Sequence, residues 1–294
     1  MENPQSSHLS FAPSDTSDTD YEALDTWVNT ELDAAIAEDN VRFDAQFEAE
    51  RVAAEQIAEN ARAQGLVPDG PTLDRLAEFH LAEEARARDE QARIEEHVAA
   101  RADAFGVLRQ PLPAQPNMAG KRPPFKTESE DQKDGGTGKS FADRNTGLMR
   151  IAPDTSFSGS WDWARCSIGQ EFVLPTSDGT IEPVCEFRNH LGMVTAWGLF
   201  SDATVQLELL VFTFNMTRKV RWVKRTVLST VTNAWIGTVG MTLGLGPTFR
   251  GTGFGQVDKG DRIVVTATLI GRAKAPTGRA ALNHSCNLTS ITVT

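Results

Sequence analysis

Val205-Gln206-Leu207-Glu208-Leu209-Leu210-Val211-Phe212-Thr213-Phe214 is rich in Val, Leu, Phe and Thr and free of Gly and Pro. Residues that are β-branched or aromatic favour strands, and a run this short has strand length rather than helix length. Working outward from it, the same texture recurs at Glu171–Leu174, Val184–Arg188, Val194–Phe200, Val220–Leu228, Val239–Leu243, Arg262–Ile270 and Asn287–Thr294. Turn signals such as Ser177-Asp178-Gly179 and Lys259-Gly260-Asp261 separate these runs. About eight short strands over residues 151–294, with no helical period between them, predict an antiparallel β-sandwich of jelly-roll type. A unit of this size is expected to stand alone, burying about 68–70% of its unfolded surface.

Upstream the chemistry changes. Of the 294 residues, 1–110 hold 25 Asp and Glu against 9 Arg and no Lys, a net −16, whereas 111–294 carry +5; the whole chain is at −11. Residues 1–19, rich in Ser, Thr, Asp and Pro, are too polar to offset their ordering entropy and read as a disordered arm. Residues 20–105 read as acidic helices. From Tyr21 to Gln64 there is no Gly or Pro, and Leu24, Val28, Leu32, Ile36, Phe43, Phe47 and Ile57 recur at helical spacings. Gly65 suits a helix C-terminus and Pro71 the first turn of a second helix over Thr72–Ala104. Neither apolar stripe is wide enough for a core of its own. The expectation is a hairpin or a coiled coil, with Ile36, Phe43, Phe47 and Ile57 as the association surface and a homotrimer as the assembly. Residues 106–150 read as a linker, with Pro at 111, 113, 116, 123 and 124 and Gly at 120, 135, 136, 138 and 147 within 111–150. The fold class expected is therefore α+β in separate domains.

Searches for chemistry return little. There is no Gly-x-Ser-x-Gly, His-Glu-x-x-His or Gly-x-x-x-x-Gly-Lys-Ser/Thr motif, and no paired carboxylates stand out among the few acids of the second half. No catalytic residue, cofactor or metal site is expected. Cys166, Cys185 and Cys286 lack metal-ligand spacing and read as core thiols. Arg250-Gly251-Thr252-Gly253-Phe254-Gly255 has no following helix, so it reads as a flexible inter-strand loop rather than a phosphate cradle. The basic run Arg218–Arg225 reads as a solvated strand face with Trp222 packed inward, and the acidic half opposes binding to nucleic acid. No apolar run is long enough to cross a membrane as a helix. The start shows no secretory signal, which points to synthesis in a reducing cytoplasm.

Five of six Trp lie in the second half. Trp161 and Trp163 alternate with Asp162, so both rings point one way, toward either a sugar or a subunit interface. With Arg250 and Phe254 they are the candidate glycan-contact residues.

Ile181-Glu182-Pro183-Val184-Cys185-Glu186-Phe187-Arg188, Met193-Val194-Thr195-Ala196-Trp197-Gly198-Leu199-Phe200 and Leu209-Leu210-Val211-Phe212 resemble the minor tail and fibre-like proteins of actinobacterial phages. The phrase Asn145-Thr146-Gly147-Leu148 and the ending Gln256-Val257-Asp258-Lys259-Gly260-Asp261-Arg262-Ile263-Val264-Val265 resemble the opening and last hairpin of their β heads. The resemblance spans about residues 145–294. It implies a virion structural protein whose helices bind other virion proteins and whose β domain attaches to host-envelope glycan. A capsid decoration or tail-tip adaptor without a receptor, or a glycan hydrolase, are the other readings.

Overall fold

The computed structural model describes residues 21–67, scattered positions between 70 and 93, and residues 119–155, 159–173, 179–198, 201–233, 241–242 and 248–294. The expected arm at 1–19, the helix end at 94–105, the linker portion 106–118, Trp235 and part of the Val239–Leu243 strand lie outside them. One helix, α1 (Tyr21–Ala63), runs as its unbroken sequence predicts. It closes at Gly65 with the paired bonds Leu66 N–H to Ala61 O and Gly65 N–H to Arg62 O. The described positions between Gly70 and Arg93 are helical as well.

The strands are β1 (Ala119–Lys121), β2 (Thr127–Gln132), β3 (Lys139–Asp143), β4 (Leu148–Ala152), β5 (Ser160–Val173), β6 (Gly179–Ile181), β7 (Pro183–Trp197), β8 (Ala203–Asn215), β9 (Val220–Asn233), β10 (Met241–Thr242), β11 (Thr248–Thr252), β12 (Gly255–Val257), β13 (Arg262–Ala275) and β14 (Arg279–Val293). They form an antiparallel sandwich. One sheet has the order β2-β5-β13-β8-β9; the other runs β10-β7-β14-β4-β3, with β1 added on β14 and β11 on β7. Between them lies one core, from Ile151, Cys166 and Ile168 through Phe187, Leu207 and Leu209 to Val265, Leu269, Leu282 and Ile291.

Three expectations are corrected. The linker does not extend to residue 150, because the sandwich begins at Ala119. Phe125, Ala142 and Met149 enter the core, and isolated apolar residues among Pro and Gly were too sparse to show a period. The Arg250–Gly255 stretch is not a flexible loop, since Thr248–Thr252 pairs with β7. Its glycines are needed for close approach: a Cβ on Gly251 would collide with Leu209, on Gly253 with Val211, and on Gly255 with Thr213.

The third correction is the largest. The helix stripe does not wait for another chain. Val28, Leu32 and Ile36 are buried on the outer face of the five-stranded sheet, against Leu210, Phe212, Phe214, Val264 and Ile270. Further along, Phe43 packs on Trp161 with ring centroids 5.0 Å apart, and Phe47 is buried. Glu50 meets Lys274 at 2.7 Å. From Val28 to Glu50 the helix advances about 33 Å, and from Val264 to Lys274 the strand advances about the same, so α1 lies along β13. Helix acids answer sheet cations at each step: Asp33 pairs with Arg165, Glu31 with Arg221 at 3.0 Å, and Asp39 with Arg225. The α and β parts are thus one body: Ile36 and Phe47 are buried and Phe43 packs on Trp161, so all three serve the sheet rather than an association surface. Ile57 alone stays half exposed. The expected trimer loses the stripe it rested on.

Removal of α1 would bare five large apolar side chains, so residues 119–294 alone are expected to elute as aggregates in size exclusion. In the full chain, Leu32→Ala is expected to cost about 2–5 kcal/mol in urea unfolding, while Ile57→Ala stays within about 0.5 kcal/mol.

A bulge gives a second prediction. Ser285 pairs with Leu191 and Asn287 with Arg188, so Asn189 and His190 together oppose Cys286. This turns His190 into the interior, where its Nδ1 lies 2.5 Å from His284 Nε2. Burial, and then the neighbouring His190, pull His284 down from its ordinary 6.5 to about 3. Between those values the unfolded chain takes up a proton that the folded protein does not, so stability falls as pH drops from 6.5 toward 3. Unfolding midpoints measured across that window should fall less steeply in His284→Gln.

Candidate functional site

With one sheet capped by α1, the open surface is the outer face of the seven-stranded sheet. Period-two alternation sends Leu282, His284 and Ile151 inward and their neighbours outward. The outward side chains line up in rows across four strands. Lys139 is the register partner of Ala152 and Asn283 of Met193, which puts Lys139, Ala152, Asn283 and Met193 in one row. In the next row Asp154 bridges Ala281, and Ala281 pairs with Thr195. Thr137 completes that row, its Oγ1 donating to the Asp154 carbonyl at 2.7 Å. A third row holds Phe141, Arg150, Ser285 and Leu191, with the Phe141 ring exposed.

The central positions Ala152 and Ala281 carry only methyl groups, so the middle of the face sinks. The resulting cleft of about 220 Å³ is lined by Thr137, Lys139, Asp154, Met193, Thr195 and Asn283 around those two alanines. Hydroxyls, an amide, an ammonium and a carboxylate surround a small apolar floor. Asp154 is held in place by Arg279, Nε to Oδ1 at 3.1 Å and Nη2 to Oδ2 at 2.6 Å.

Asp162 holds the far wall. Its buried carboxylate accepts from the Asp154 N–H at 3.1 Å and from its neighbour Trp163 N–H at 2.9 Å. Burial pushes this carboxyl up, and the backbone N–H groups of Asp154, Trp163 and Gly138 oppose that rise. Gly136 and Gly138 press so closely on the carboxylate that a Cβ at either would overlap it. The loop bearing Thr137 is therefore fixed from below.

The four residues expected to contact glycan are not brought together. Trp161 is buried under α1, its Nε1 donating to Asp44 Oδ1 at 2.6 Å and its ring covered by Lys133 Nζ at 4.1 Å, so it offers no surface contact. Trp163 is half-buried on the same helix-side face. Arg250 is exposed and pairs with Glu186 at 2.7 Å, nine positions from Thr195 along β7 and hence about 30 Å from the cleft. Phe254 sits at an open edge, edge-on to Trp222 at 6.4 Å. The rest of the basic run is not a bare solvated face, because Arg221 and Arg225 reach α1.

The cleft residues escaped sequence reading because half of them fall in the stretch read as linker, or just past its end. Its floor is also defined by small side chains, which give no signal. Among the described residues no group of three or more His, Cys, Asp or Glu converges as a metal site. The thiols are buried, and burial pushes Cys185 up to about 12 and Cys166 and Cys286 upward as well, away from nucleophilic thiolate.

No family model and no curated protein matches this chain. Among solved structures, similarity is found to TmCBM61 in complex with β-1,4-galactotriose, at 9% identity over 55% of this chain and 86% of that one, TM-score 0.24. It is also found to the CBM22-1–GH10 modules of Clostridium thermocellum xylanase 10B with xylohexaose, at 10% identity over 56% and 26%, TM-score 0.20. The tailspike protein 4 enzymatic domain of bacteriophage CBA120 follows at 10% identity over 56% and 18%, TM-score 0.17. Likeness at this level leaves ligand and role to the chain's own geometry.

Proposed function

We propose that this protein is a glycan-attachment module of a phage virion, with the cleft on the seven-stranded sheet as its contact site. The observation that carries the glycan part is the lining of that cleft. Asn283, Thr137, Thr195, Lys139 and Asp154 offer donors and acceptors around the methyl floor of Ala152 and Ala281. A pyranose has the matching character, with C–H faces for an apolar floor and hydroxyls for a polar rim. Phe141, exposed one row away, offers a ring on which a following sugar can stack.

Binding rather than hydrolysis is the reading we favour. Glycoside hydrolysis needs two carboxyl groups about 5–9.5 Å apart flanking the bond. The cleft lining has one, Asp154, and it is bound on both oxygens by Arg279. The virion assignment rests on the resemblance of residues 145–294 to actinobacterial phage tail proteins. Many copies on one particle would raise avidity for a repetitive envelope without a tight single site.

Ala281→Phe fills the cleft from a position whose side chain points away from the core. It should abolish binding to actinobacterial envelope polysaccharide in a pull-down, with an unchanged thermal midpoint, whereas Arg250→Ala should leave binding intact. A wild-type chain that retains no envelope glycan would shift the reading to a decoration or adaptor protein.

A further inference from the structure

Where α1 passes the end of the five-stranded sheet, a second and larger cavity opens, of about 620 Å³, within the size range of small-ligand sites. Its cause lies in the helix. Positions 32, 43 and 54 repeat at eleven residues, three helical turns, and so face the same way, as do 36, 47 and 58. The first series reads Leu, Phe, Ala and the second Ile, Phe, Ala. The face turned to the sheet thus shrinks to methyl groups beyond Glu50. On the sheet side, β13 ends one residue after Lys274. Among the described residues, no large side chain fills the gap between the two layers.

The two walls differ in chemistry. Phe43, Ala53, Ala54 and Ile57 make the helix wall largely apolar, with Gln46 and Glu50 set among them, and Ile57 is half exposed there. Thr204, Gln206 and Thr232 make the sheet wall polar, the two threonine hydroxyls lying 3.3 Å apart. Of the charges at the groove, Glu50 and Lys274 neutralise each other at 2.7 Å, and Asp202 leaves it net negative. The surrounding acidic helix repels anions. An apolar wall facing hydroxyls and an amide, without net cationic charge, suits a neutral chain that is apolar on one side and hydroxylated on the other.

We infer that this groove is a second glycan site, for a short neutral oligosaccharide, distinct from the cleft on the other sheet. The inference rests on reading the sandwich as glycan-binding. The two sites lie on opposite outer faces with the whole sandwich between them, so one sugar strand does not fill both. A single protein molecule instead bridges two strands.

The test is calorimetric titration of the full chain with short, neutral, linear gluco-, xylo-, galacto- and manno-oligosaccharides. Two sites per chain are expected. Ala53→Phe, on an exposed helix position, should remove one and leave the other; Ala281→Phe should do the reverse. The double variant Thr204→Val with Thr232→Val keeps the shape, and loss of two hydrogen-bonding groups should weaken the groove site about tenfold. One site that Ala281→Phe removes and Ala53→Phe leaves untouched would overturn the second site while sparing the cleft. One site with the opposite response would overturn the cleft and keep the groove. If no sugar of the panel binds, both fall.

Discussion

Everything in this molecule depends on an acidic helix lying along a cationic sheet face. Counted by sequence, the chain is lopsided, −16 in the first 110 residues and +5 in the rest. Folded, four of the helix acids, Glu31, Asp33, Asp39 and Glu50, pair with cations of the sheet. Exposed ion pairs contribute little individually, but Arg165, Arg272 and Lys274 are buried cations, and a buried cation without its partner is costly. Arg272 has Glu208 within the sheet. Arg165 draws on Asp33, with Asp131 at 3.6 Å, and Lys274 on Glu50. Together with the apolar patch under Val28, Leu32 and Ile36, these pairs make the helix a fixed layer of the domain.

That fixed layer decides which face of the sandwich stays open. A sandwich has two outer faces, and here one is closed over most of its length. The open face is shaped by small side chains. Ala152 and Ala281 lower its centre, while on the inside Gly251, Gly253 and Gly255 let the sheets approach. The rim is held by bonds that lie beneath the surface: Asp162 under the Thr137 loop, and Arg279 on Asp154. A cleft held this way has its shape without a ligand, so filling it would spend little free energy on ordering side chains.

Much of the fold was legible from pattern. The alternation at Val205–Phe214 and Arg262–Ile270, and the uninterrupted helix from Tyr21, correspond to β8, β13 and α1. What pattern missed was partnership. The outward residues of β8 run from Thr204 and Gln206 to Leu210, Phe212 and Phe214, and an apolar outer end is a request for cover that a single strand does not identify. The helix offered its own request, Val28, Leu32 and Ile36, and the two answer each other across more than 170 residues. Self-association was the natural inference from the helix alone, since nothing local distinguishes a partner in the same chain from a second copy. Trp161 was misplaced for the same reason: the alternation with Trp163 put both rings on one face correctly, and that face proved to be the covered one.

The cleft on the seven-stranded sheet shows the complementary limit. Aromatic and basic residues stand out in a sequence, as Trp161, Trp163, Arg250 and Phe254 do here. The structure disperses them over the helix-side face, the far end of β7 and an open edge. The residues that do converge come from four strands far apart in sequence, between Thr137 and Asn283, and register alone unites them. One residue of slip in β14 would turn Ala281 and Asn283 inward and Leu282 outward. The inward demand of Leu282, His284 and Leu288, each buried in the interior, holds the strand in register. The chemistry of the outer face is thus set by residues that never touch it.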